Sequence, residues 1–447
     1  MSAPVGNHFS TPADGNVRDA QPFGERVAGR HSWAATILTF AAGKAFPGLL
    51  TLASIPLWVN SFGASNYGLF SLYWTASLIG TSLTLGWLNQ AILRQTGTEG
   101  ASYEALPWRT RWLVEAGPAC TVVPLAIVTW PLWEGHEDRW TFLLSSLVGL
   151  LINGRYAVRQ TISQRDARAT PYAVAETVRV AVALMLSLTL AASGLVAPWS
   201  LVAANSAGML LALTILIRSE RRMACGLVKM RVKGPLLGAF WRFGWPLSLW
   251  LACSSSMMYL DRLVISHLYG LEKAGDYAAA ADLVVRGMGM VAAPVIMFLH
   301  PAFMRAWNTR DRGAALAIWR RMTSFLALGV GLTGAIILLA YAAFSGSVLD
   351  NPPSIATFAA LIVGGIVWQM ALMLHKPLEA SGRTLTMLGA LIGSLLVTLT
   401  ADLLLAPRLG LLGVALGFMS GALCYAGLVA VLNVRVLRPA ELGTQTS

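Results

Sequence analysis

The sequence predicts an all-α integral membrane fold of about twelve transmembrane helices, arranged as two six-helix bundles with both termini cytoplasmic. Three observations carry this expectation. Of the 447 residues, 56% are hydrophobic and 12% charged, about half the charged share of an average soluble domain, and the mean hydropathy is +0.61. Apolar runs of the roughly 20 residues needed to cross a bilayer recur along the chain. The basic residues fall almost entirely in alternate loops.

Residues 1–32 are polar, mixed in charge and without an apolar signal-peptide core, and read as a disordered cytoplasmic tail. Spans follow at 33–60, 66–92, 112–133, 140–162, 171–193 and 196–217, giving an N-terminal bundle over 33–217. A basic cytoplasmic linker, 218–239, divides the helices six and six. Spans at 240–268, 277–304, 319–346, 353–376, 384–406 and 411–436 give a C-terminal bundle over 240–437, and 438–447 is a second cytoplasmic tail. Trp33, Trp58, Trp108, Trp133, Trp241 and Trp307 lie near span ends, where an interfacial aromatic belt places them.

With the termini cytoplasmic, the loops of the opposite side hold only Arg139, Lys273 and Arg408, and Lys44, Arg179, Arg262 and Arg286 lie inside spans. All the remaining Lys and Arg, out of 33, fall on the termini side, which is the positive-inside pattern. The opposite-side loops are short, so none holds a catalytic domain of the kind a polysaccharide polymerase or ligase would need. The net charge of +12 is spread between apolar segments and does not form one basic soluble face, which argues against nucleic acid. Cys120, Cys225, Cys253 and Cys424 lack ligand spacing. No phosphate-binding glycine loop, paired-histidine metal motif or nucleophile elbow occurs, so neither enzyme activity nor a cofactor is expected.

The two halves share a pattern. Phe62–Gly63 precedes Tyr67 at the first hairpin, and Tyr269–Gly270 precedes Tyr277 at the hairpin of the seventh and eighth spans. Six helices per repeat give both halves the same orientation, with a pseudo-twofold along the membrane normal and the substrate site expected between them.

Charges inside spans are the candidate site. A charged side chain at mid-bilayer costs about 2.5–3.5 kcal/mol on the lenient insertion scale, so each needs a partner, water or a ligand. The stretch Phe240–Trp307 carries four: Asp261, Arg262, Asp282 and Arg286. Asp282 and Arg286 stand at i, i+4, and Glu176 and Arg179 at i, i+3, each pair on one helix face. Such pairs either neutralise each other within the helix or face a water-filled cavity. Lys44, in Ala41–Leu50, has no acid within four residues and needs a partner from elsewhere. Asp261 and Arg262 project about 100° apart and cannot share one partner. His300–Pro301 reads as a helix end, and His375 lies beside Lys376 at an interface.

The run Ile55–Gln95, with its Tyr67–Phe70 helix opening (Tyr-Gly-Leu-Phe), resembles the first-hairpin signature of polysaccharide repeat-unit flippases. Asp261–Ile265, Gly275–Tyr277 and His300–Pro301 are similar to the second-half signature, and Leu409–Val429 resembles the last helix. Asp276 departs from the small apolar residue usual before the Tyr, and the first turn lacks its usual acid. The resemblance covers Trp33 to Arg438. It implies the Wzx-type (O-antigen and exopolysaccharide) branch of the oligosaccharidyl-lipid and MATE exporter superfamily: two MATE-like six-helix bundles, working by alternating access in the bacterial inner membrane. The implied substrate is an undecaprenyl-pyrophosphate-linked oligosaccharide, carried from the cytoplasmic to the periplasmic leaflet. Membrane lipids and other polysaccharide assembly proteins are the expected partners. On that reading Lys44, Arg179, Arg262 and Arg286 bind the pyrophosphate and sugar head group, while Glu176, Asp261 and Asp282 serve ion coupling or gating. No residue is assigned to catalysis or to a metal. The rival is a MATE-like antiporter of cationic drugs, whose cavity should be dominated by acids; here mid-membrane bases outnumber acids.

Overall fold

The computed structural model describes residues 30–94, 103, 106–133, 138–166, 168–223, 236–348 and 351–437. Most of the two expected tails and the centre of the 218–239 linker therefore lie outside the described residues. Among the described residues every regular element is helical. The first half comprises α1 (Arg30–Phe62), α2 (Ala64–Arg94), α3 (Trp108–Glu115), α4 (Val122–Thr129), α5 (Arg139–Arg165), α6 (Ala169–Ala192) and α7 (Pro198–Met223). The second comprises α8 (Leu236–Tyr259), α9 (Asp261–Asn308), α10 (Arg312–Val348), α11 (Ile355–Leu374), α12 (Lys376–Ala380), α13 (Thr384–Leu409) and α14 (Leu411–Leu437).

Ten helical stretches among the described residues are long and apolar enough to cross a membrane. One of them, Gly244–Ile296, has 53 residues, about 80 Å as a straight helix, and makes two crossings. The remaining crossing is α2, whose Ser71, Thr75, Ser77, Thr81 and Thr84 lower its hydropathy. That helix is sandwiched between the halves instead of facing lipid, and Ser71, Thr75 and Thr84 donate to carbonyls one turn back. With Gly244–Ile296 counted as two and α2 added, the described residues supply twelve crossings, the number expected.

Besides the interruption at Leu260 of the span predicted over 240–268, two elements differ from expectation. The third span, predicted as one helix, is broken into α3, a tight turn over Gly117–Thr121, α4 and a second tight turn over Trp130–Trp133. Pro118 and Pro131 lack the N–H an α-helix needs, and each restrains the residue before it. At the other difference, the turn predicted over 269–276 is reduced to Gly270. Its φ of 84° and ψ of 173° let the chain change direction between two helical stretches. Gly63 does the same between α1 and α2 with φ 81°, so both hairpins of the expected repeat turn on a conformation that side-chain-bearing residues rarely adopt.

Within the first half α1 packs on α6, α6 on α7 and α7 on α5; within the second, α9 packs on α10, α10 on α11, and α14 on both α11 and α13. The halves meet where α2 lies against α8 and α9, and where α1 lies against α9. Glycine makes these approaches close. On the termini side, Gly244 abuts the Trp87 backbone and Gly86 faces Ser248, whose hydroxyl donates to the Ser82 carbonyl at 2.5 Å. At the opposite end, Gly68 and Gly275 let α2 and α9 touch: a Cβ on Gly275 would collide with the Ala64 carbonyl, and one on Gly68 with the Leu271 carbonyl. Small residues at helix contacts are how membrane helices gain van der Waals packing.

Candidate functional site: a charged cavity between the halves

A cavity of about 470 Å³ lies where α1, α2, α5, α6 and α9 converge. α6 contributes Glu176 and Arg179 from its first half, α5 contributes Tyr156 and Gln160 from its last half, and α9 contributes Arg286. The α5 and α6 stretches belong to the membrane half nearer the start of α1, and Arg286 lies near the middle of its crossing. The α1 and α9 walls are made largely of small residues, among them Gly43, Gly48, Gly289 and Ala293, and nothing lies within 4 Å of where a Gly289 Cβ would be. Away from the termini side, the space narrows to about 20 Å³ between Trp58 and Phe70. Those two rings meet edge to face at 5.4 Å, and the Trp58 indole N–H donates to Ser187 Oγ at 2.7 Å. This aromatic pair lies between the cavity and the opposite side of the membrane.

The charges separate into two groups. The first is open. Glu176 accepts from Arg179 Nη2 at 2.9 Å and also from the Tyr156 hydroxyl and the Gln160 amide. The carboxylate is thus surrounded by donors, and its salt bridge fixes the Arg179 guanidinium at the cavity wall. Both side chains keep access to the space, 18% exposed for Arg179 and 12% for Glu176. The second group is sealed. Arg262 is fully buried and donates to Asp282 Oδ1 at 2.6 Å, with Asp282 itself 2% exposed. Asp282 Oδ2 accepts from the Tyr67 hydroxyl at 2.8 Å and from Arg286 Nη2 at 3.3 Å. Arg286 belongs to both groups: it reaches back to Asp282, keeps 18% exposure, and lies 5.4 Å from the centre of the Trp74 ring in the cavity wall.

Residues 36–307 match the family model described as polysaccharide biosynthesis protein. The chain belongs to the polysaccharide biosynthesis protein family. The matched segment contains every charged side chain of both groups, and the family is the one the hairpin signatures led us to expect. None of the curated proteins matches the chain. Among solved structures, it is similar to the lipid II flippase MurJ in an inward closed conformation, with a TM-score of 0.67 and 14% identity over 89% of this chain and 87% of that one. It is also similar to an inward-facing multidrug resistance MATE family transporter of the MOP superfamily, with a TM-score of 0.65 and 15% identity over 90% and 98%. A eukaryotic MATE transporter gives 0.60 and 14% over 90% and 96%. At such identities the likeness is one of fold, and it places this family member in the MATE-like architecture.

Of the residues singled out from sequence, the structure brings Glu176, Arg179 and Arg286 together around one cavity. Arg262 stands behind the wall, 4.6 Å from the centre of the Tyr259 ring, which itself lines the cavity. Asp261 is 4% exposed, and its Oδ1 accepts the Arg262 backbone N–H at 2.8 Å, which serves a donor at the start of α9 that has no partner within the helix. Lys44 lies on α1 next to the cavity-lining Gly43, and its side chain lies outside the described residues. Sequence reasoning missed Tyr67, Trp74, Tyr156 and Tyr259. One signal was present: Asn153, Tyr156 and Gln160 follow one another at i, i+3 and i+7, a polar stripe along one face of a membrane span.

Proposed function

We propose that the chain moves a polyprenyl-diphosphate-linked oligosaccharide from the cytoplasmic to the periplasmic leaflet of the bacterial inner membrane by alternating access. The observation that carries this reading is the pair Arg179 and Arg286, partly exposed on facing walls of one cavity at a depth where lipid offers no counter-ion. A diphosphate carries charge that cannot cross hydrocarbon bare, and Arg grips phosphate through parallel N–H bonds. The flat faces of Trp74, Tyr156 and Tyr259 suit the apolar faces of sugar rings, while the prenyl chain stays in lipid. Family membership and the likeness to MurJ support the reading. Lys44 remains a proposed third head-group cation. With the positive-inside pattern placing the termini in the cytoplasm, the aromatic floor of Trp58 and Phe70 is the periplasmic seal, and the cavity belongs to an inward-directed state.

The antiporter alternative wants a carboxylate available to a cation. Glu176 is committed to Arg179, Tyr156 and Gln160, and this favours the anion reading. In proteoliposomes loaded with a polyprenyl-diphosphate oligosaccharide, the wild-type chain should translocate the glycan, read by its accessibility to an external lectin. Loss of one Arg–phosphate interaction is worth about 1.5–3 kcal/mol, so Arg286→Ala should lower head-group affinity by a factor of ten or more while leaving insertion intact. Wild-type protein that moves cationic dyes and no glycan would reverse the conclusion.

A further inference from the structure

Asp282 joins three donors, and one of them belongs to the other half of the molecule. Its Oδ2 is shared by Tyr67 on α2 at 2.8 Å and Arg286 at 3.3 Å, while Oδ1 takes Arg262 Nη2 at 2.6 Å. Arg262 is fully buried, yet its Nε and Nη1 have no hydrogen-bond partner among the described residues. An unsatisfied buried donor in a native structure calls for an explanation, such as a strain reservoir. A carboxylate set squarely on a guanidinium fork is the stronger geometry. Here Tyr67 and Arg286 hold the second oxygen away from that fork.

The same bond is part of the closure on the side away from the termini. Tyr67 is next to Gly68, whose missing side chain lets α2 approach the Leu271 carbonyl, and α9 answers with Gly275 against Ala64. Backbone contact at glycine has no long side chains to disengage, so a polar bond about two turns deeper along α9 has leverage over whether the two helices part.

We infer that Asp282 relays occupancy of the cavity to the opposite closure: a diphosphate anion engages Arg286, Asp282 Oδ2 turns onto the Arg262 fork, and Tyr67 loses its acceptor. This rests on the diphosphate reading proposed above. Each charge keeps a partner at both ends of the switch. Before it, Arg262 and Arg286 share Asp282; after it, Arg262 holds Asp282 with two bonds and Arg286 holds the anion. Only the hydrogen bond between the halves is given up.

The test is a distance between nitroxide labels at Ser65→Cys and Lys273→Cys, both exposed beside the closure. It uses the full chain in nanodiscs, with the four native cysteines replaced by serine. Inorganic pyrophosphate should raise the ratio of long to short distances by about tenfold, the weight of one hydrogen bond to an ionised acceptor. Tyr67→Phe and Arg286→Ala should show the long distance already without anion, and pyrophosphate should add little. Arg262→Lys keeps the charge and loses the fork, so it should bind pyrophosphate and stay short. The relay is overturned if Tyr67→Phe matches wild type, if Arg262→Lys responds like wild type, or if calorimetry shows pyrophosphate bound with no change in distance. In that last case the diphosphate reading stands. No binding of either pyrophosphate or a polyprenyl diphosphate in the nanodisc overturns the reading and the relay together. A response to the polyprenyl diphosphate alone assigns the anion to a lipid head group, and a response to both assigns it to the charge itself; each supports the relay.

Discussion

The two charged groups look alike in sequence and behave differently in space. Glu176 and Arg179 form an i, i+3 pair that faces the cavity, with Tyr156 and Gln160 of the neighbouring helix as further donors to the same carboxylate. Asp282 and Arg286 form an i, i+4 pair on α9, but there a second arginine, Arg262, occupies the acid from the sealed side and Tyr67 binds it from the other half. The first group is a wall of the site. The second reaches across to the other half through Tyr67. Spacing along a helix shows that two charges can meet; what lies behind them decides whether the pair is a surface or a joint.

The largest expected effect tests that contrast directly. Asp282→Ala leaves Arg262 buried without its acid, and breaking a buried pair from one side costs about 3–5 kcal/mol. Glu176→Gln alters a pair with access to the cavity and keeps a neutral acceptor for its donors, so it should cost less, about 1.5–3 kcal/mol. Thermal unfolding in detergent compares the two, and equal losses would erase the distinction. Replacing Arg262 by Met and Asp282 by Leu together should recover part of the loss, since an apolar pair of similar size substitutes for a buried ion pair, while Tyr67 and Arg286 still lack their acceptor.

Glycines sharpen the comparison at the next level. Gly275→Val must displace the Ala64 carbonyl at the closure, an overpacking worth about 1–3 kcal/mol. Gly289→Ala puts a methyl into open cavity space and should stabilise the helix by about 0.4–1 kcal/mol, the opposite sign. Smallest of all, Trp74→Leu removes the ring beside Arg286 and should weaken pyrophosphate binding by about 0.5–1 kcal/mol, read by calorimetry, with unfolding unchanged.

Much of the architecture was legible in the sequence because bilayer thickness sets a length that apolar runs must meet. All twelve crossings were found that way, including α2, which is less apolar because it is buried in protein. Prolines 118 and 131 held the information that the third span breaks, but hydropathy is blind to a backbone N–H that does not exist. Arg179 and Arg286 were found because lipid makes an unpartnered charge conspicuous. Tyr67 and Tyr259 were not, since an aromatic residue in a membrane helix is ordinary, and only the position of Asp282 and Arg262 beside them gives them a role. The separation of Arg262 from the cavity by one tyrosine ring is a fact of packing between helices, and no pattern along a single helix encodes it.

Helix α2 is held by the second half at both of its ends, against α8 at Gly86 and Ser248 and against α9 at Gly68 and Gly275. A rod gripped at two points by one neighbour can rock about either grip without leaving the other. Smooth, glycine-lined bearings at each end suit a see-saw, in which parting one end presses the other together, as the proposed alternating access requires.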